Sequence, residues 1–243
     1  MNRRTALKCG LSLSLGGGLL WYSFQESSGR RSRVAHAIEQ LPKRPLPIPA
    51  LVEPQADKPI ELVMQAGQWE ILPGMKTDSV GFNGPYLGPT IRFREGQDVH
   101  LSYTNHWSES VAVHGHGLHV SGALDGGPQR LIEPGDTWSP VLPIRQQAGT
   151  AWYHPHTHGR SGSQTYKGLA GMLLIEDDNS VELPLPRTYG VDDIPLIVQD
   201  RRLDSQSQLA YSLQNADREG FLGDFVTVNG IAGAEANVPA GLV

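Results

Sequence analysis

The sequence predicts an all-β chain, folded as a Greek-key sandwich or barrel. Two observations carry that expectation. The 28 Gly and 18 Pro among 243 residues are spread through the chain as turn punctuation. Between them lie short runs rich in Val, Ile, Leu, Thr and Tyr, residues that fit a pleated, half-buried surface. Strands separated by turn signals at this spacing belong to sandwiches and small barrels rather than to helical folds.

The first 37 residues read separately from the rest. Arg3-Arg4 with Leu7-Lys8 opens a basic start, Cys9 to Phe24 is modestly apolar and broken by Gly, and Ala35-His36-Ala37 is a small-x-small cleavage signature. The paired arginines resemble a twin-arginine export signal, which implies a periplasmic mature protein. Beyond residue 24 no apolar run is long enough to span a bilayer, so no membrane span is expected in the mature chain. Removing residues 1–37 takes Arg3, Arg4, Lys8, Arg30, Arg31 and Arg33 against Glu26 alone, and moves the net charge from -5 to -10. An acidic surface without a basic cluster excludes nucleic acid as a partner. Cys9 is the single cysteine, so the mature chain has neither a disulfide nor a thiol.

The remaining elements follow in order. Residues 38–59, with Pro42, Pro45, Pro47, Pro49 and Pro54, lack periodicity and read as a linker or an extended arm on the domain surface. Strands are expected at Ile60 to Gln65, Thr90 to Arg94, and along Val99, Leu101 and Tyr103 after a Glu95-Gly96 turn. Gly81 to Pro89 reads as a turn-rich crossing. Further strands are expected at Ser110 to His114, Trp138 to Ile144, Gly149 to His154, and Gly168 to Glu176, the last nearly all apolar. These close one domain over residues 60–178. Leu183-Pro184-Leu185-Pro186 then reads as a linker into a second strand-rich unit, residues 179–243, shorter than a sandwich domain needs.

Six of the nine histidines fall between positions 114 and 158, in the runs His114-Gly115-His116-Gly117-Leu118-His119 and His154-Pro155-His156-Thr157-His158. Residues two apart on a strand share a face, so each His-x-His presents two imidazoles to one side. Two such pairs on neighbouring strands converge on a common point. Neutral imidazole suits Cu, Zn, Fe and Ni, and the missing thiolate removes cysteine-based zinc and iron–sulfur sites.

Four segments together carry a family resemblance: Val113 to Leu118; Asp125-Gly126-Gly127-Pro128-Gln129; Trp152 to Gly159; and Gly168 to Glu176. In order and spacing they resemble the first cupredoxin domain of the multicopper oxidases, with bacterial periplasmic cuprous oxidases of laccase type as the nearest likeness. Gly88-Pro89-Thr90-Ile91 and Asp193 to Arg201 fit as well, so the resemblance spans nearly the whole mature chain. It implies a cupredoxin-like domain at 60–178 and the incomplete start of a second one at 179–243. It also implies His114 as a ligand of a type 2 copper, and His116, His154 and His156 as ligands of a type 3 copper pair. His158 resembles a position just outside the ligands; His119, His36, His100 and His106 are expected to be ordinary. Gly115 departs from the family, which usually has Trp there. Asp125 resembles an acidic residue that delivers protons while dioxygen is reduced, and it equally fits a turn aspartate before Gly126-Gly127.

The resemblance further implies the oxidation of a small reducing substrate, a phenol or Cu(I), coupled to reduction of dioxygen to water. The family takes in electrons at a type 1 copper held by a Cys thiolate. No Cys follows Cys9 and no His follows His158, so four of the eight trinuclear-cluster histidines are expected here and no turnover by the chain alone. Alternatives from other classes are a non-enzymatic periplasmic copper binder, a copper-free structural cupredoxin protein, and a zinc hydrolase. The copper-free relatives tied to cell division lose such ligands, so retention of both pairs favours copper.

Overall fold

The computed structural model describes residues 38–56, 58–212 and 220–238. The expected export signal, with Cys9 and His36, lies outside them, as do residues 213–219 and 239–243 of the expected second unit. Among the described residues the strands run in order β1 (Arg44–Pro45), β2 (Leu51–Val52), β3 (Ile60–Trp69), β4 (Thr77–Phe82), β5 (Thr90–Arg94), β6 (Asp98–Asn105) and β7 (Val113–His116). They continue with β8 (Thr137–Trp138), β9 (Val141–Pro143), β10 (Gly149–Pro155), β11 (Gly171–Glu176), β12 (Val198–Arg201), β13 (Phe225–Val228) and β14 (Ala234–Glu235). Helix α1 (Ser161–Tyr166) sits between β10 and β11, and α2 (Asp178–Glu182) follows β11.

Two sheets enclose one core, as the all-β, cupredoxin-like reading requires. One has the order β4-β3-β6-β8, with β9 also on β6, and the other β2-β5-β11-β10-β7. Alternation builds the inner faces. Ile60, Leu62 and Met64 of β3 and Val99, Leu101 and Tyr103 of β6 point inward from the first sheet. From the second come Ile91 and Phe93, Leu173 and Ile175, Ala151 and Tyr153, and Val113. Strands β3 and β6 pair in parallel, as do β5 and β11, so the chain crosses between sheets rather than meandering within one.

Several boundaries differ from the sequence reading, each for a local reason. Strand β3 continues to Trp69 because β4 pairs antiparallel with it from Met64↔Phe82 to Trp69↔Thr77. Strand β4, Thr-Asp-Ser-Val-Gly-Phe, carries no alternation because four successive residues, Ser79 to Phe82, are buried. The expected strand Trp138 to Ile144 divides into β8 and β9 at Ser139-Pro140: Pro140 has no N–H to give, although its carbonyl accepts from Leu101 N at 3.0 Å. The expected strand at Ser110 to His114 starts at Val113 and runs on through His116.

The proline-rich stretch is bonded along its length. Strand β1 pairs in parallel with β14, and β2 with β5. The Asn229 amide donates to the Pro47 carbonyl at 2.7 Å, and the Tyr189 hydroxyl to the Pro49 carbonyl at 2.8 Å. Arg44 donates through Nη2 to the carbonyl of Ala232 at 3.1 Å. Proline carbonyls are free to accept because no neighbouring strand claims them.

Tyr153 anchors the sheet that carries the histidines. It is fully buried, donates its hydroxyl to the Pro89 carbonyl at 2.8 Å and packs edge-on against Phe82 at 5.0 Å. Its cross-strand partner is Gly171, where a Cβ would come within 2.1 Å of Tyr153 Cζ. Only glycine leaves room for the phenol there. Gly171→Ala is therefore expected to destabilise the chain by about 1–3 kcal/mol, the usual cost of overpacking. Tyr153→Phe should cost about 1 kcal/mol for the lost hydrogen bond. Thermal melts followed by circular dichroism check both, and a Gly171→Ala protein as stable as the parent would contradict the packing account.

Candidate metal centre

Strands β7 and β10 lie side by side and antiparallel, with His154 opposite His114 and Trp152 opposite His116. Inward residues Val113, Ala151 and Tyr153 fix the pleat, so His114, His116, Trp152 and His154 share the outer face. The donor nitrogens of His114, His116 and His154 lie within 4.8 Å of one another. His156, one residue past β10, brings its ring centroid to 5.1 Å from that of His114 and 6.1 Å from that of His154. Its own N–H donates to the Ala112 carbonyl at 2.7 Å, while Thr157 Oγ1 accepts from Ala112 N at 3.0 Å. That pair of bonds ties the exit of β10 to the start of β7 and keeps His156 beside the cluster.

Carbonyl acceptors select the tautomers, because a carbonyl can only accept and the ring nitrogen facing it must carry the proton. His114 Nδ1 faces the Asp125 carbonyl at 2.7 Å, and His154 Nδ1 the Pro155 carbonyl at 2.9 Å. Both rings thereby carry their lone pair on Nε2, and that of His114 is left for a ligand. His116 turns Nδ1 toward His154 Nε2 at 3.2 Å, and with His154 protonated at Nδ1 the donor of that bond is His116 Nδ1–H. Burial lowers the pKa of His154 to about 4, opposed by the Pro155 carbonyl and helped by the neighbouring imidazoles. The ring is neutral at ordinary pH, the form that binds metal.

Asp125 reaches the cluster through its main chain. Its carbonyl accepts from Gly115 N at 3.1 Å as well as from His114 Nδ1, and its Oδ1 accepts from Gly127 N at 3.0 Å in an aspartate turn. Gly126 makes this possible. With φ at 71°, it lets the turn lie on β7 so closely that a Cβ would fall 1.6 Å from the Val113 carbonyl oxygen. At Gly115, the space next to the backbone is filled by Leu118, whose Cδ1 would be 2.7 Å from an added Cβ.

The structure brings together the four histidines singled out in the sequence, three of them as one donor group. His116 and His156 are exposed, His114 is half-buried and His154 is buried. His100, His106, His119 and His158 are exposed, and His119 is held by its backbone N–H donating to Gln146 Oε1 at 2.6 Å. Sequence reasoning missed the parts played by Thr157, the Pro155 and Asp125 carbonyls, and Trp152, which stacks on His154. The chemistry of the donor set, imidazole nitrogens in a tight group with no thiolate, fits copper, and it admits zinc on the same grounds.

Comparison with known proteins agrees with this geometry. Residues 63–180 match the family described as multicopper oxidase. The chain is 45% identical over 201 residues to the cell division protein FtsP of Escherichia coli, a match covering 83% of this chain and 42% of that protein. Among solved structures it resembles the laccase-like multicopper oxidase CueO of Ochrobactrum sp. at 41% identity and a TM-score of 0.73, over 77% of this chain and 42% of that one. A laccase from Pediococcus acidilactici is similar at 35% identity and a TM-score of 0.76, over 81% and 43% of the two chains. The chain thus spans about two fifths of the length of these relatives. Paired strands with facing His-x-His motifs and the family match over residues 63–180 agree: this domain belongs to the multicopper oxidase family.

Proposed function

We propose that His114, His116, His154 and His156 hold copper as one half of a trinuclear centre, in an exported laccase-like oxidase. His114 serves the type 2 ion and the other three serve the type 3 pair. The observation that supports this reading is the cluster of three imidazole donors within 4.8 Å, two of them set by carbonyls into the tautomer that carries the lone pair on Nε2. Copper there would supply one-electron chemistry for reducing dioxygen at the expense of a small reducing substrate, a phenol or Cu(I). The chain's own residues orient and protect. Carbonyls of Asp125 and Pro155 set two rings, Thr157 keeps His156 in reach, and the Asp125 carboxylate, one residue from the β7 contact, is the proton donor of this reading.

The wider reading follows the same lines. Arg3-Arg4 and the apolar stretch after them direct twin-arginine export to the periplasm. Residues 38–59 act as an arm, 60–178 as the copper-bearing cupredoxin domain and 179–243 as the start of a second cupredoxin-like unit. The 45% identity to a protein named for cell division favours one other reading, a division-associated structural protein without oxidase turnover.

Elemental analysis and EPR of the copper-loaded chain separate the two readings. The comparison is a variant with His114, His116, His154 and His156 all replaced by Ala. Copper retained by the parent and lost by the variant, without a blue thiolate band, is the expected result. Equal copper in both would sink the metal reading and leave the structural one.

A second pair of variants separates the roles of the Asp125 turn. Asp125→Asn keeps both the Oδ1 acceptor and the main-chain carbonyl, so copper content should be unchanged, while dioxygen uptake by the complete oxidase should fall about 100-fold or more. Gly126→Ala should instead lift the turn off β7 and weaken copper retention about tenfold, as loss of a ligand-orienting partner does. Unchanged oxygen uptake in Asp125→Asn would reduce that residue to its turn.

A further inference from the structure

The cluster has a fifth aromatic member that is no ligand. Trp152 lies opposite His116 in the β7–β10 register and two residues before His154 on the same face. Its indole stacks on the His154 imidazole at 3.9 Å between centroids and 23° between planes, and lies 5.3 Å from the His116 ring. Its other cross-strand neighbour is Met172 of β11. The indole is 38% exposed, and the core lies on the opposite side of the sheet, with Ala151 and Tyr153. A large aromatic side chain on the outer face adds little to that core. Its ring contacts are with the two imidazoles.

We infer that Trp152 is a positioning residue for the histidine cluster, holding the His154 ring, and through it His116, in the orientation that aims their nitrogens at a shared metal. The consequence for copper rests on the metal-binding reading above, whereas the ring orientation itself does not. Rotating the His154 ring by half a turn would take Nδ1 off the Pro155 carbonyl and Nε2 off His116 Nδ1, bonds of 2.9 and 3.2 Å. Hydrogen bonds at two edges resist that rotation only while the ring plane stays fixed. A parallel indole fixes the plane, because tilting the imidazole would drive its edge into the stacked face. The same contact covers one face of the buried imidazole. Trp152 therefore does for the ring plane what the carbonyls do for the ring edge.

Two measurements on the chain test this, with Trp152→Ala and the conservative Trp152→Phe. In the metal-free protein, the carbon-bound imidazole protons of His154 should show a single set of NMR signals displaced by the indole ring current. Trp152→Ala should return them toward free-histidine positions and broaden or average them, with Trp152→Phe intermediate. Signals at the same positions in parent and Trp152→Ala would overturn the inference, and this arm needs no metal. Titration with Cu(II) alone should quench part of the tryptophan emission, and that part should vanish in Trp152→Phe while copper is still bound. Zn(II), which has no unpaired electron, should not quench it. Copper affinity should fall about tenfold in Trp152→Ala and about threefold in Trp152→Phe, with altered EPR parameters in the former. Parent affinity and an unchanged EPR spectrum in Trp152→Ala would also overturn the positioning role. A parent chain that holds no copper would remove the metal reading, and the NMR comparison would still decide what Trp152 does.

Discussion

The histidine cluster depends on one register, that of β7 against β10. His154 faces His114 and Trp152 faces His116 only while Tyr153 points inward. A slip of one residue would exchange the faces of β10, bury the imidazoles and expel the phenol. Three features oppose the slip: the Pro89 carbonyl that receives the hydroxyl, the Phe82 ring beside it and the empty position at Gly171. Burial raises the pKa of Tyr153, so the hydroxyl stays protonated and remains a donor. The arrangement of the imidazoles on the outer face is thus set by packing on the inner one.

Main-chain groups hold the site more than charged side chains do. No carboxylate is needed to orient the rings, because the Asp125 and Pro155 carbonyls do so without adding formal charge. This matters on a sheet surface, where a carboxylate beside an imidazole would favour the protonated, non-binding form. Carbonyl partners orient the ring and raise its basicity only slightly, so the neutral ligand persists. The His154 ring, buried and neutral, is the extreme case.

Much of this was legible in the sequence, and each failure has its own physical cause. Two His-x-His pairs, each beginning at the last residue of an expected strand, gave the face and the convergence, because strand periodicity alone carries that information. Strand β4 was missed because both faces of its second half are buried, which erases alternation. Helix α1 was missed because Ser-Gly-Ser-Gln-Thr-Tyr has no apolar stripe; it is held instead by the Thr157 carbonyl accepting from Ser161 N and Oγ, at 2.9 Å each. Asp125 was singled out for its carboxylate, yet its carbonyl is the group on His114. Every residue has a carbonyl, so no reading of side-chain types can locate the one that matters. Trp152 stands in the sequence only as part of a motif, since a stack between neighbours on one face is decided by rotamers.

The shape of the donor set follows from the sheet that presents it. Adjacent strands lie about 4.8 Å apart and same-face side chains leave them nearly parallel. Imidazoles from two such strands can therefore converge from one side but cannot surround an ion. The burial gradient reflects this: His154 sits low and buried beneath Trp152, while His116 and His156 stand exposed at the rim. Such a crown leaves the side away from the sheet open, and an open side is what a catalytic metal site would need. Closing that side needs donors from beyond this sheet, because the face of β7 and β10 has no further residue of the right kind between the two pairs. Openness is in this sense a property of the fold itself, written into the sequence by the spacing of His114 and His116 and of His154 and His156.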